Sequence, residues 1–141
     1  MQTNLLVFSY CLGFLVILIA GIAYRSLLEW RKPGARTFGL LMLAMMVWAA
    51  FYLLEIVLPF LPLKIISRKI LYLGMSMSPP LWLGFALRYT GISNWWSLRG
   101  RVFLLTIPGA IAFVMGLTND RHGLIWHSLS MESGRAYGPL E

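Results

Sequence analysis

One acidic residue lies inside a long apolar stretch. Glu55 is the only charged residue in segment 37–58. Placing a carboxylate in hydrocarbon costs on the order of 3 kcal/mol, so it indicates a functional site unless a partner or water compensates the charge. On a helix this residue shares a face with three aromatic residues, Trp48, Phe51 and Tyr52. Because Glu55 lies about one turn from the end of the stretch, a structural ion pair with Lys64 or Arg68, or contact with interfacial water, is the alternative.

A group of polar residues follows the last apolar stretch and includes Asn119, His122 and Trp126. Side chains just beyond a helix end can cap the helix, form a lid or bind a ligand, and a histidine can also change charge in the physiological pH range. Asp120, His122 and His127 do not have the spacing of a recognised zinc site. We therefore expect no metal and no cofactor, and both capping and ligand binding stay open for this group.

The sequence contains no motif of a known catalytic centre. It lacks a Walker loop, a GxSxG elbow, an HExxH pair and a nucleotide-binding glycine fingerprint. The single cysteine, Cys11, excludes an intramolecular disulfide and a cysteine-based metal site. We therefore expect no catalytic residue in this chain.

Composition places these residues in a membrane. Of 141 residues, 59% are hydrophobic and 12% are charged, which is more apolar surface than a soluble core absorbs. The apolar runs predict an all-α polytopic bundle of four transmembrane helices, at about 5–24, 37–58, 70–87 and 102–117, followed by a polar loop over 118–141. No basic residue precedes the first run, which favours a retained helix over a signal peptide. The net charge of +7 comes from residues at the ends of these runs, so nucleic acid is not an expected partner.

The third helix has two predicted features. Segment 60–69, which carries three basic residues, is predicted to connect the second and third helices. Pro79 and Pro80 fall near the middle of the third helix and predict a kink. Ser76, Pro80 and Gly84 share one face, which offers either ordinary packing or a small-residue surface for close helix approach.

The positions of the basic residues predict the orientation, since Lys and Arg near membrane ends favour the cytoplasmic side. An external N-terminus puts seven of the 12 Lys and Arg inside, four of them directly after the first helix. This orientation places Glu55, the predicted connection 60–69 and residues 119–127 on the outer side. The sequence therefore predicts a pocket that opens outward.

Four stretches together resemble one known family. They are WAAFYLLE at 48–55, PPLWLGFALRYTG at 79–91, Pro108, and LTNDRHGLIW at 117–126. In this order and spacing they resemble the N-terminal seven-transmembrane region of bacterial histidine kinases and related signalling proteins. The resemblance covers most of the chain and implies a membrane sensory module with an external N-terminus.

The resemblance also implies three further helices and a cytoplasmic output domain, such as a PAS, histidine kinase or GGDEF module. We therefore expect the chain to stop after the fourth of seven helices, with sensor kinase or diguanylate cyclase activity only in an intact protein. The family pattern falls on Glu55, Tyr89, Asn119, His122 and Trp126. It leaves open whether these residues bind a ligand or hold the bundle together.

Three hypotheses for the function result. The first is a signal-input module in the cell membrane, whose expected partners are membrane lipids, an unidentified small-molecule or environmental signal, and further copies of the chain. The second is a small oligomeric carrier or channel component, in which Glu55 lines a path. The third is a structural membrane scaffold, which would be indifferent to a ligand.

Overall fold

The part of the chain that the computed structural model describes, residues 2–91 and 95–125, is mostly helical. It contains four long helices and one single-turn helix. These are α1 (Gln2–Leu28), α2 (Ala35–Val57), α3 (Leu61–Tyr89), α4 (Trp95–Leu117) and α5 (Asn119–His122). The predicted all-α helical bundle is confirmed.

Glycine and proline residues set the helix ends. Gly34 has φ 82° directly before α2, a left-handed conformation that glycine adopts without steric cost. Leu58 is extended, with ψ 133°, because the proline that follows it disfavours helical backbone. Pro62 lies in the first turn of α3, where its missing N–H leaves no helical hydrogen bond unmade. The connection between α2 and α3 is therefore very short.

Helix α3 begins at Leu61 rather than near residue 70. The predicted connection over 60–69 was therefore wrong, since Lys64, Arg68 and Lys69 lie on the helix. These three charged side chains interrupt the apolar pattern of the sequence, which is why the predicted start of the helix was too late. A helix can nevertheless contain them, because Pro62 suits its first turn and an acidic residue lies beside it. Helices α1 and α4 also begin earlier than predicted.

Three of the helices are long and apolar enough to cross a membrane. They are Asn4–Leu28 of α1, Ala35–Val57 and Leu61–Tyr89. In α4 the apolar part found among the described residues is Thr106–Leu117, which is shorter than a full span. The fourth crossing therefore stays a prediction.

Among the residues described, each long helix packs on its neighbours in sequence, α1 on α2, α2 on α3 and α3 on α4. Two contacts fix the antiparallel register of α2 and α3. The rings of Phe38 and Phe85 lie 5.1 Å apart towards one end, and Glu55 forms an ion pair with Arg68 towards the other. Helix α3 is therefore the central helix between α2 and α4.

This order gives the molecule two distinct ends. What we term the Glu55 end comprises the end of α2, the start of α3, the end of α4, and α5. The Gly34 end comprises the end of α1, the start of α2 and the end of α3. The predicted grouping of Glu55 with residues 119–127 at one end of the bundle follows from this packing for residues 119–125, and residues 126 and 127 lie outside the described part of the chain.

Two glycines bring the backbones of neighbouring helices together around the middle of α3. A Cβ added to Gly74 would lie 2.7 Å from the backbone nitrogen of Trp48 on α2. A Cβ added to Gly109 on α4 would lie 2.5 Å from the carbonyl oxygen of Ser76 on α3. Side chains larger than glycine would push these helices apart, so α3 is held closely on both sides.

The contact at Gly109 also meets a carbonyl that proline has released. In a regular helix the Ser76 carbonyl would accept a hydrogen bond from residue 80, but Pro80 has no N–H. The position of a Cβ on Gly109 lies 2.5 Å from this oxygen, so the absence of a side chain at Gly109 lets α4 pack directly against it. Helix α3 continues through Pro79 and Pro80, so the prolines change its hydrogen bonding without ending it.

Candidate functional site

The carboxylate of Glu55 is fully buried and is bound by Arg68. Arg68 Nη2 donates to Glu55 Oε1 at 2.6 Å, and Arg68 Nε donates to Glu55 Oε2 at 3.3 Å. Such a two-point geometry uses the planar guanidinium fork and fixes the orientation of both groups. It joins the last turns of α2 to the first turns of α3.

A second cation lies beside this pair. Lys64 is only 2% exposed and interacts electrostatically with Glu55. Lys64 and Arg68 are four residues apart, so they lie on the same face of α3, and Ser67 is buried next to them. We refer to Glu55, Lys64 and Arg68 as the ionic cluster. Buried charges require such pairing, because each loses several kcal/mol of hydration when it leaves water.

Asn119 is buried at the same end of the molecule. Its side-chain oxygen accepts a hydrogen bond from the Ile125 amide at 2.8 Å, which holds the chain after α5 in place. Gly116 of α4 packs on the ring of Tyr72 in α3. This contact brings the end of α4, one turn before Asn119, to the part of α3 that lies one turn after Arg68.

His122 is exposed and closes the short helix α5 through its two ring nitrogens. The Leu124 amide donates to Nδ1 at 3.1 Å, so Nδ1 carries no proton. The Thr118 hydroxyl donates to the Val114 carbonyl and is left to accept from Nε2, at 3.0 Å. His122 therefore links Thr118 to Leu124, since one ring nitrogen is within hydrogen-bond distance of the hydroxyl and the other accepts from the amide.

The sequence-predicted site residues have different outcomes in the structure. The predicted alternative of an ion pair between Glu55 and Arg68 is confirmed. Of the aromatic residues predicted to share a face with Glu55, Trp48 is exposed, and the ring of Tyr52 packs edge-on against Phe8 of α1 with the ring centres 6.3 Å apart. Trp126 lies outside the described residues.

Sequence reasoning did not include Lys64 and Arg68 among the site residues. It assigned both to a connection, although their four-residue spacing after Pro62 is a helical pattern. That spacing, together with an acidic residue near the end of the preceding helix, was the signal that could have found the ionic cluster. Asn119 and His122 lie at the same end, as predicted, and their described contacts hold the backbone beyond α4.

Comparison with known families identifies the family of the chain. A family model described as the N-terminal 7TM region of histidine kinase matches residues 6–140, nearly the whole chain. The matched range includes all four stretches on which the resemblance rested. No curated protein and no solved structure matches the chain.

Proposed function

Because the chain belongs to the family of N-terminal 7TM regions of histidine kinases, we propose that it is a signal-input module whose input site is the ionic cluster. The chain is a membrane protein, with three helices suited to spanning a bilayer. A sensory region of this kind needs an element with two arrangements whose balance the signal changes. We propose that α3 is this element and that the ionic cluster controls it.

The observation that carries the proposal is the complete burial of Glu55 between two helices. Its ion pair with Arg68 is a polar link between α2 and α3 at this end, with Lys64 buried beside it. Charged groups inside membrane helices are costly and characteristically serve function. A signal that alters this pair would change the free energy of the α2–α3 contact directly.

The other proposed ligand-binding residues are Asn119, His122 and Trp126. Asn119 is buried and His122 is exposed, and both lie on α5 at the Glu55 end. Trp126 belongs to the proposed site on the sequence pattern alone. In this account Asn119 and His122 hold residues 118–125 at the end of α4, and the signal acts by changing that segment or the ion pair.

We propose that α3 transmits the change. It is packed closely on α2 at Gly74 and on α4 at Gly109, and beyond these contacts it contains Pro79 and Pro80. A helix without two of its backbone donors bends at lower cost than a regular helix. A shift at the ionic cluster would therefore appear at the Gly34 end as a movement of the last turns of α3.

The distribution of charge supports an orientation with the Glu55 end outside. At the Gly34 end five cations are exposed, whereas at the Glu55 end Lys64 is buried, Arg68 is bound to Glu55 and Arg121 is exposed. Exposed Lys and Arg at membrane ends favour the cytoplasmic side. The N-terminus would then be external and the ionic cluster accessible from outside the cell.

The test uses a chimera in which residues 1–141 replace the corresponding part of a histidine kinase of the family. Autophosphorylation is measured in membrane vesicles for the unchanged chain and for Glu55→Gln. Couplings between sites are typically 1–3 kcal/mol, so we expect output to change by about fivefold or more, in either direction. The matched control is Glu29→Gln, which removes the exposed acid of the other described ion pair and should leave output unchanged. Equal output from all three chimeras, at equal amounts in the membrane, would refute the input site.

A further inference from the structure

The Gly34 end carries a dense group of exposed cations. They are Arg25, Arg31, Lys32, Arg36 and Arg88. Glu29 is the only acidic residue at this end in the part of the chain that the structure describes, and it is bound to Lys32. The hydrogen bond from Lys32, the charge of Lys32 and the charge of Arg25 together lower the pKa of Glu29 from its ordinary value. The Gly34 end therefore has a strongly positive surface although it contains Glu29.

Arg36 is held in a defined position without losing its charge. Its guanidinium carbon lies 5.2 Å from the centre of the Trp30 ring, within the range of a cation–π interaction. Neither Arg31 nor Arg36 forms an ion pair with an acidic residue within the described ranges. A guanidinium stacked on an aromatic ring keeps its N–H groups available around its edge, where they fit the oxygens of a phosphate.

The cations lie at the level of one membrane surface. The span of α1 ends at Leu28, that of α2 begins at Ala35, and that of α3 ends at Tyr89. The turn between α1 and α2 rests on α3, since a Cβ added to Gly34 would lie 3.4 Å from the ring of Phe85. Exposed aromatic rings surround the cations, as is typical of the headgroup region; they are those of Tyr24, Trp30 and Tyr89.

We propose that the Gly34 end is a docking surface for the phosphate headgroups of anionic phospholipids, centred on Arg31 and Arg36. The charge complementarity is direct, because several exposed cations of the turn and of α3 face the layer in which lipid phosphates lie. Each basic residue near an anionic membrane surface contributes roughly a factor of five to such binding. The surface is separate from the ionic cluster, so this inference stands independently of the signal-input proposal.

The experiment measures which lipids the full chain retains. The protein is reconstituted in nanodiscs that contain equal amounts of phosphatidylcholine and phosphatidylglycerol. Native mass spectrometry then counts the lipids of each kind that stay bound when the protein is released from the nanodisc. We expect phosphatidylglycerol to be retained in preference, and Arg31→Gln and Arg36→Gln each to lower that preference by about fivefold. The matched control is Arg121→Gln, which removes an exposed cation at the Glu55 end and should leave the preference unchanged.

Two further measurements keep the test decisive. Arg36→Lys preserves the charge and should retain most of the preference, which separates loss of charge from loss of fold. In the unchanged protein, added salt should reduce the preference, because an exposed electrostatic contact is screened. Equal retention of both lipids by the unchanged protein would overturn the proposal and leave the surface to an acidic protein partner or to water. An equal loss in Arg121→Gln would overturn it too, since binding would then follow total charge.

Discussion

The carboxylate of Glu55 and the guanidinium of Arg68 join α2 to α3 through two hydrogen bonds, of 2.6 and 3.3 Å. The two partners are not equivalent. The Glu55 side chain is 1% exposed and has two cations near it, whereas the Arg68 side chain is 20% exposed and can turn towards water or headgroups. The consequences of removing each partner should therefore differ.

Glu55→Gln should destabilise the helical assembly more than Arg68→Gln does. The first change leaves two cations beside an uncharged amide, and removing one partner of a buried pair costs about 3–5 kcal/mol. The second leaves Glu55 with Lys64, so the loss should be smaller. Unfolding in mixed micelles with increasing dodecyl sulfate measures both, with Glu29→Gln as the neutral control. A larger loss in Arg68→Gln would show that Lys64 does not compensate Glu55.

Gly74→Ala should weaken the contact between α2 and α3. The added methyl group would meet the backbone of α2 near Trp48, which cannot move aside as a flexible side chain can. Overpacking of this kind costs about 1–3 kcal/mol. Gly21 on α1 is the matched control, because an added Cβ there meets nothing within 4 Å, and Gly21→Ala should be neutral or stabilising by up to about 1 kcal/mol. The same unfolding assay compares them, and equal effects would contradict the close approach at Gly74.

Asn119→Ala should remove the hydrogen bond of the Ile125 amide, and His122→Ala should remove the hydrogen bond of the Leu124 amide. Each amide donates to the side chain that is removed, and a hydrogen bond contributes about 1 kcal/mol, so exchange with deuterium should accelerate about fivefold at the corresponding amide. Asn119→Asp keeps the acceptor oxygen and should keep Ile125 protected. Hydrogen exchange followed by NMR in micelles resolves the two amides. Unchanged exchange in both variants would remove the holding role that the structure gives these side chains.

Lys32→Gln should raise the pKa of Glu29 towards its ordinary value, because the hydrogen bond and the charge of Lys32 are the main causes of its lowering. A carboxyl with a lowered pKa in the folded state contributes stability at pH above its unfolded pKa and loses it as the pH falls through the lowered value. Glu29 is fully exposed, so solvent screening keeps that contribution small. Carbon NMR titration of the Glu29 carboxyl, assigned with Glu29→Gln, measures the shift. An unchanged pKa would show that the ion pair does not persist in solution.

The sequence was sufficient to predict the helical class and the membrane location, and its alternative explanation of Glu55, an ion pair with Arg68, is seen in the structure. Apolar runs and their flanking charges carry that information directly, because hydrocarbon admits few alternatives to a helix. The start of α3 was not predictable in the same way. Lys64, Arg68 and Lys69 interrupt the hydropathy pattern, and their placement on a helix depends on Glu55, which belongs to another helix.

The close contacts of Gly74 and Gly109 were also not predictable from the sequence. Gly74 and Gly109 are ordinary small residues in the sequence, and only the packing of three helices shows which backbone atoms they approach. The predicted face of Ser76, Pro80 and Gly84 is buried, but what identifies its role at Ser76 is the position of Gly109 on α4. The ligand, further copies of the chain and the carrier alternative remain predictions.

The most direct test of the account asks whether α3 must shift for a change at the ionic cluster to reach the output, and a covalent link from α3 to α4 would prevent that shift. The Cβ of Tyr72 lies 3.5 Å from the position of a Cβ on Gly116, which suits a disulfide. In the chimera with Cys11→Ser, we combine Tyr72→Cys and Gly116→Cys and compare kinase output with and without Glu55→Gln. We predict that oxidation abolishes the output difference caused by Glu55→Gln and that reduction restores it. A difference that persists with the disulfide fully formed would contradict the account.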